Sequence, residues 1–344
     1  MTPLRISRGL CLFGLLAGHL STIAFATEFA NVEYLCADWG PAMKLPSKPA
    51  DKPQFSDMDE EIYFLKQVTA RGKVSIYICK MKPDGTGKTE IKQLWKNPNY
   101  PIDAQGQSAW MDVNAKTRKI ALSVLFAGTD EMGLWTMNLD GSEFKQILKP
   151  EWGEHLVGVD HPSWTPDGRW IVFAEIQRCT HPNRVRVARC DREGWHFSYL
   201  TSGPWQGQPM VSPVGDIVVY EQVGDARTGG LYVTDINGKK QRQLFDPAGK
   251  PVTGTYPAWS PDGTKIFAVS TGVIEVSTGK TLFRRSPRSV NSEGKTVEQY
   301  SNVVMPHWGK LGLLCSGWGG GITVVDDQFD IQRVLADSGK VAPK

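Results

Sequence analysis

Beyond its first 26 residues this chain has no long apolar run. A membrane-spanning helix needs roughly 20 apolar residues in succession, so no later segment is expected to span. Charge of one sign is also scarce. Lys and Arg number 39 against 36 Asp and Glu, a formal net charge of +3. Such a balance supplies no general attraction to nucleic acid or to an anionic membrane. There is no Gly-x-Ser-x-Gly, so a hydrolase nucleophile elbow is missing. Cysteine spacings match neither a zinc knuckle nor a haem-attachment motif. No stretch sustains a helical period. Gly317 to Gly321 is glycine-rich but opens a strand, not a helix, so it is not a phosphate cradle.

What is present first is a leader. Arg5 and Arg8 precede an apolar run from Leu10 to Leu20, and Ala24-Phe25-Ala26 has the small-x-small form of a cleavage site. Residues 1–26 are expected to leave and Thr27 to begin a periplasmic or secreted chain. The alternative is an uncleaved anchor. Five cysteines then remain: Cys36, Cys79, Cys179, Cys190 and Cys315. An exported chain permits disulfides. Cys179 and Cys190 flank a turn and are expected to bridge, and Cys36 is expected to pair with Cys315 or Cys79; the odd count leaves at least one free thiol.

Glycine (35) and proline (22) are plentiful, as many short strands joined by tight turns require. Two units repeat openly: His161-Pro-Ser-Trp164-Thr-Pro-Asp-Gly and Tyr256-Pro-Ala-Trp259-Ser-Pro-Asp-Gly, each running into an apolar strand. Four weaker copies align, with key positions Phe55, Trp110, Val211 and Trp308. A second repeat is a hairpin with a polar turn, at Asp84-Gly85, Asp140-Gly141, Glu193-Gly194, Asn237-Gly238, Thr278-Gly279 and Asp326-Asp327. Such turns supply the positive φ of a tight hairpin. Both repeats count six units of four strands, A to D. A four-stranded unit cannot bury both faces alone, whereas six arranged radially bury one another. The fold class read here is all-β, a six-bladed β-propeller of four-stranded antiparallel blades. Its expected limits are 52–336, with residues 27–51 as an extended N-terminal arm and 337–344 as a C-terminal tail. All four strands of blade six are expected from the C-terminal segment.

The Trp-Ser-Pro-Asp-Gly unit followed by Lys265-Ile-Phe-Ala resembles the WD40-like repeat of TolB propellers. The resemblance covers roughly 52 to 336 and is degenerate in units two, four and six, which lack Pro-Asp-Gly. TolB carries an α/β domain before its propeller. About 25 residues between Ala26 and blade one are too few for one, so a Tol-system role is not expected.

A propeller has two ends. A–B and C–D turns, short and generic, make one; B–C and D–A loops, longer and unusual, make the other. Loops held by a rigid scaffold carry function. The loop-rich end collects Trp95, Trp152, His155, His161, Arg178, Trp205, Arg227, Tyr256 and Trp318. The position three before each key residue opens strand A, nearest the axis, and reads Lys52, Gln107, His161, Gln208, Tyr256, Met305. These side chains are expected to converge on the channel mouth as a binding site.

His161, Gln107 and Gln208 could hold a divalent metal (Mn or Ca); the alternative is a polar ring around channel water. Oligogalacturonate lyases also use TolB-like repeats with a His- and Gln-liganded metal, and the ring is similar in outline. That resemblance implies a metal-assisted uronate lyase, for which His161, His155, Tyr256, Arg178 and Arg227 are suitable acid, base and charge-neutralising types. Trp95, Trp152, Trp205 and Trp318 could stack on sugar faces or anchor loops. Three functions remain open: an exported module binding a glycan or protein, a polysaccharide lyase, and an envelope-complex subunit.

Overall fold

The computed structural model describes residues 30–44, 54–70, 73–97, 109–125, 132–148, 158–177, 184–283, 288–290, 306–316, 321–325, 331–336 and 339–341. Among them are six blades and no helix; no helix is long and apolar enough to cross a membrane.

Blade one is β1 (Ala30–Lys44), β2 (Gln54–Ala70), β3 (Lys73–Met81) and β4 (Thr89–Asn97). Blade two is β5 (Ala109–Asn114), β6 (Lys119–Leu125), β7 (Met132–Asn138) and β8 (Lys145–Leu148). Blade three is β9 (Gly158–Trp164), β10 (Trp170–Gln177), β11 (Arg184–Asp191) and β12 (Ser198–Tyr199). Blade four is β13 (Gln206–Val211), β14 (Ile217–Gln222), β15 (Gly230–Asp235) and β16 (Arg242–Gln243). Blade five is β17 (Thr255–Trp259), β18 (Lys265–Val269), β19 (Gly272–Glu275) and β20 (Thr281–Phe283). A short strand, β21 (Arg288–Val290), pairs in parallel with the outer strand of blade six. That blade is β22 (His307–Gly309), β23 (Gly312–Ser316), β24 (Ile322–Val325) and β25 (Ile331–Ala336), all from the C-terminal segment as expected. A last strand, β26 (Gly339–Val341), adds to the far side of β1.

Two boundaries differ from the sequence reading. The segment expected to be an arm supplies the innermost strand of blade one: β1 pairs with β2 along its length, with Trp39 opposite Ile62. The C-terminal tail is likewise partly in the sheet, through Ala30 opposite Val341. Cross-strand register also corrects two key positions. Trp164 faces Ile171, Trp259 faces Ile266 and Val211 faces Val218. The equivalent pairs in blades one and two are Trp39–Ile62 and Val113–Ile120. Trp39 and Val113, not Phe55 and Trp110, therefore hold the packing position.

Burial follows the radial logic. Six apolar clusters form, one at each interface between neighbouring blades. The cluster closing the ring joins Trp39, Ile62 and Phe64 of blade one to Leu314, Ile322 and Leu335 of blade six. Gly309 lies so close under the Trp39 indole that a Cβ there would fall 2.5 Å from it.

The glycines of the hairpin turns gain a second reason in three dimensions. Gly194, Gly238 and Gly279 have φ of +90°, +74° and +68°. A Cβ on each would stand 2.2, 2.4 and 1.8 Å from the carbonyl oxygen of Ile147, Leu200 and Phe245, each on the preceding blade. The turns are thus both left-handed and pressed against their neighbour. An aspartate three residues before the glycine locks the turn of blade four locally: Asp235 Oδ1 accepts from the N–H groups of Asn237 (3.0 Å) and Lys239 (2.9 Å).

The expected cysteine pairings are not found. Cys36, Cys79, Cys190 and Cys315 are free and buried. Cys36, Cys79 and Cys315 belong to three different interface clusters, so none can reach another. Cys190 lies opposite Ile171, about 20 Å of strand from Gln177; Cys179 lies outside the described residues. Burial pushes the Cys79 thiol up to about 12 and the others higher still, so these thiols behave as apolar packing.

Candidate functional site: the axial channel

Strand A of blades three, four and five carries a bulge at the same place, opposite Val172/Ala174, at Gly207/Met210 and at Thr255/Ala258. Its central residue is His161, Gln208 and Tyr256, with φ of 49°, 51° and 49°. A non-glycine residue in that region costs about 1–2 kcal/mol, and bulges commonly re-aim a side chain beside a functional site. A proline follows each: Pro162, Pro209 and Pro257. Proline has no N–H to give to a ladder, so it is tolerated where a bulge interrupts pairing.

The three side chains meet at the axis. His161 lies against Trp110, 4.5 Å away between ring centres and tilted by 37°, and against Tyr256, 5.7 Å away and tilted by 35°. Gln208 Oε1 accepts from the Tyr256 N–H at 2.6 Å, tying blade four to blade five. Together with Met111, Met210, His307 and Pro306, these residues line a small axial pocket. Both His161 ring nitrogens, Trp110 Nε1 and Asp160 Oδ1 are buried without a hydrogen-bond partner. His161 Nδ1 and Asp160 Oδ1 are 3.0 Å apart, but the angle is not that of a hydrogen bond.

Two residues along each strand the side chain returns to the same face, giving a second tier: Asp38, Asp112, Ser163, Met210, Ala258 and His307. Here successive blades are buckled together. Asp38 Oδ2 accepts from Val113 N (2.6 Å), Asp112 Oδ2 from Trp164 N (2.5 Å) and Ser163 Oγ from Val211 N (3.0 Å). His307 Nδ1 reaches back across the ring closure to Asp38 at 3.0 Å and lies 3.8 Å from Asp112.

Burial and the nearby Asp38 charge push Asp112 up to about 7, while His307 and the Trp164 N–H pull the other way. Burial alone would lower His307, but the charge and bond of Asp38, aided by Asp112, hold it above its ordinary value. In the upper tier burial raises Glu221 against the pull of His161, and raises Tyr256 further beside Asp160 and Glu221. One donor set among the described residues suits a cation: the ligand atoms of Asp38, Asp112 and His307 lie within 4.8 Å of one another. Gln208, expected as a ligand with His161, has its carbonyl oxygen engaged by Tyr256.

Of the residues singled out from sequence, the channel brings together His161, Gln208 and Tyr256. Trp110 joins them where Gln107 was expected; β5 has no bulge, and its strand starts at Ala109. Trp205 is exposed and bridges Val185 instead of lining the pocket. Arg227 is exposed in a turn, its N–H held by Asp225 at 2.9 Å. Lys52, Gln107, Trp152, His155, Arg178, Met305 and Trp318 lie outside the described residues, as does the Trp95 side chain. Sequence reasoning missed the lower tier. Its signal was available: Trp39-Gly-Pro41 repeats the Trp-x-Pro of Trp164-Thr-Pro166 and Trp259-Ser-Pro261.

No family model matches the chain. An uncharacterized protein of Agrobacterium fabrum is 31% identical over 123 residues, 32% of this chain and 39% of its own length. The Tol-Pal system protein TolB of Francisella tularensis is 25% identical over 100 residues, 29% of this chain and 22% of its own. The chain therefore spans well under half of these curated relatives. Among solved structures, TolB from Acinetobacter baumannii superposes with a TM-score of 0.48 at 11% identity, over 86% of this chain and 78% of that one. An oligogalacturonate lyase in complex with manganese gives 0.43 at 10%, over 90% and 98%. The chain is a six-bladed β-propeller built from TolB-like repeats.

Proposed function

We propose that this protein is an exported binding propeller that takes its ligand, a glycan end or a segment of a protein partner, at the loop-rich mouth of the axial channel. The observation that carries this reading is the ring of Trp110, His161, Gln208 and Tyr256 around one pocket, with three strained backbone positions spent on aiming it. Unpartnered buried polar atoms each cost about 1–3 kcal/mol, and four of them fall on Trp110, Asp160 and His161. Backbone strain and polar atoms without a protein partner, found together in one concave place, support a binding site there. The second reading, a metal-assisted uronate lyase, needs a cationic group for the substrate carboxylate. No lysine or arginine is among the described residues lining the pocket; Asp38, Asp112 and His307 could hold a metal for that purpose.

Site-directed photo-crosslinking in the producing cell tests the choice of end. A photoreactive amino acid replacing Gln208 should give a specific adduct, and one replacing Gly215, in the A–B turn of blade four, should not. Adducts from position 215 alone, or from neither, would reject the axial site. Release of unsaturated uronate by the purified protein with manganese would replace binding by catalysis.

A further inference from the structure

We infer that the outer edge of blade three is a second interaction surface, which takes an extended acidic segment of a partner protein as an added strand beside β12. It lies on the rim and not at the axis, so it stands apart from the channel. Strand β12 ends its sheet, with no strand on its outer side among the described residues. An open edge is a template for another chain, and charged side chains, lysine above all, are the usual guard. The outer strands of blades one, two and four carry Lys92, Lys145 and Arg242, and Lys280 precedes that of blade five. Residues 195–199 hold no Lys, Arg, Asp or Glu. On blade six the outer edge is covered by β21, a strand of three residues. A blade edge in this molecule therefore accepts an added strand that short, the pairing used in strand-addition recognition.

Aromatic side chains stand where the guard is missing. Trp195, Phe197 and Tyr199 are 71%, 41% and 41% exposed. The repeat itself shows that the fold asks for no apolar group at the first of these. The residue after the turn glycine is Thr86, Ser142, Lys239 and Lys280 in blades one, two, four and five. Phe197 rests on buried Phe173 and meets Tyr199 edge-on, 5.1 Å between ring centres. An edge-on pair offers a sugar ring no flat platform but suits the side chains of a peptide. Arg186 lies 3.5 Å over the Tyr199 ring, completing the Trp, Tyr and Arg composition of interface hot spots. Charge then sets the sign of the partner. Glu175 is held by Arg186 and Tyr199, Asp191 by His196, and Glu193 by Arg192. Arg169, Arg184 and Arg189 have no carboxylate partner among the described residues. Arg184 opens β11, the strand paired with β12. Arg169 and Arg189 crowd one Trp170 ring, 5.2 and 4.1 Å from its centre. Carboxylates on the added strand would meet these guanidinium groups with charge-assisted bonds.

Selection of random dodecapeptides displayed on phage tests this, with the whole protein as target and its Trp195→Ser/Arg184→Glu variant as counter-target. Both replaced side chains are exposed and serine is what blade two carries after its turn glycine, so thermal melting of the variant should match the wild type. Enriched peptides should alternate carboxylates with apolar residues and bind the wild type at least about ten-fold more tightly than the variant. Bound peptide should slow amide exchange at residues 197–199. Enrichment of basic or uncharged peptides, equal binding to both proteins, protection elsewhere, or no enrichment overturns the inference. A wild-type dimer in sedimentation that the variant lacks would give the edge to a second copy. Co-sedimentation with phosphatidylglycerol vesicles, lost in the variant, would give it to a lipid surface; either result overturns the acidic segment. Crosslinking from position 208 reports on the axial channel alone, so the two readings fail separately.

Discussion

At the residue scale the protein spends stability in identifiable places. His161 combines a positive φ with two unmet ring nitrogens. His161→Phe keeps an aromatic ring against Trp110 and Tyr256 and removes the two unmet ring nitrogens, so melting should show a gain of about 1 kcal/mol while ligand uptake is lost. A destabilised variant would mean that the nitrogens are satisfied. Gly279 makes the opposite case. An added Cβ would meet the Phe245 carbonyl at φ +68°, whereas at Gly249, φ +74°, it would meet nothing within 4 Å. Gly279→Ala should therefore cost more than about 2 kcal/mol and Gly249→Ala about 1. Chemical denaturation of both variants checks the difference; equal losses would show that backbone strain alone matters.

Asp112 ties a residue to pH. Its folded value, about 7, lies above the ordinary 3.8, so the proton is held more tightly folded than unfolded. Its contribution is full below 3.8 and is lost as pH rises to about 7. His307, raised above 6.5, acts in the same direction: its contribution is present below that value and fades as pH climbs through the folded one. Wild-type melting temperature should fall by several degrees from mildly acid to mildly alkaline conditions, and Asp112→Asn should flatten the lower part of that fall. Parallel calorimetric profiles would count against the assignment.

At the element scale the decisive strand is β1. It carries Trp39, Asp38 and the contact with Gly309 that closes the ring. A chain begun at Lys52 has every Pro-Asp-Gly unit yet lacks this strand, and should fail to give a cooperative thermal transition. A chain begun at Thr27 should melt cooperatively. Cooperative folding of the shorter chain would show that blade one closes without β1. The bulges explain how much of the site could be read ahead. His161-Pro, Gln208-Pro and Tyr256-Pro each mark the interruption in their own strand. Lys52-Pro has the same form but falls between β1 and β2. Gln107-Ser lacks the proline, and its strand runs without a bulge to Trp110.

At the scale of the whole molecule, six repeated interfaces make the scaffold, and the channel takes its chemistry from whichever residues the bulges and the period of two deliver to it. Export is an expectation of the leader alone. N-terminal sequencing of protein from the cell envelope should begin at Thr27; an intact Met1 there would replace cleavage by anchoring. Sequence by itself determined the blade number, the two ends of the barrel and three of the channel residues. Turns, bulges and strand alternation are local: a few consecutive side chains dictate them. Tertiary structure alone decided the partner of Asp38. His307 stands 269 residues away along the chain and meets it only because the ring closes. Register in blade one and the separation of the cysteines into different interfaces have the same cause, since both depend on which blades become neighbours and not on any local motif.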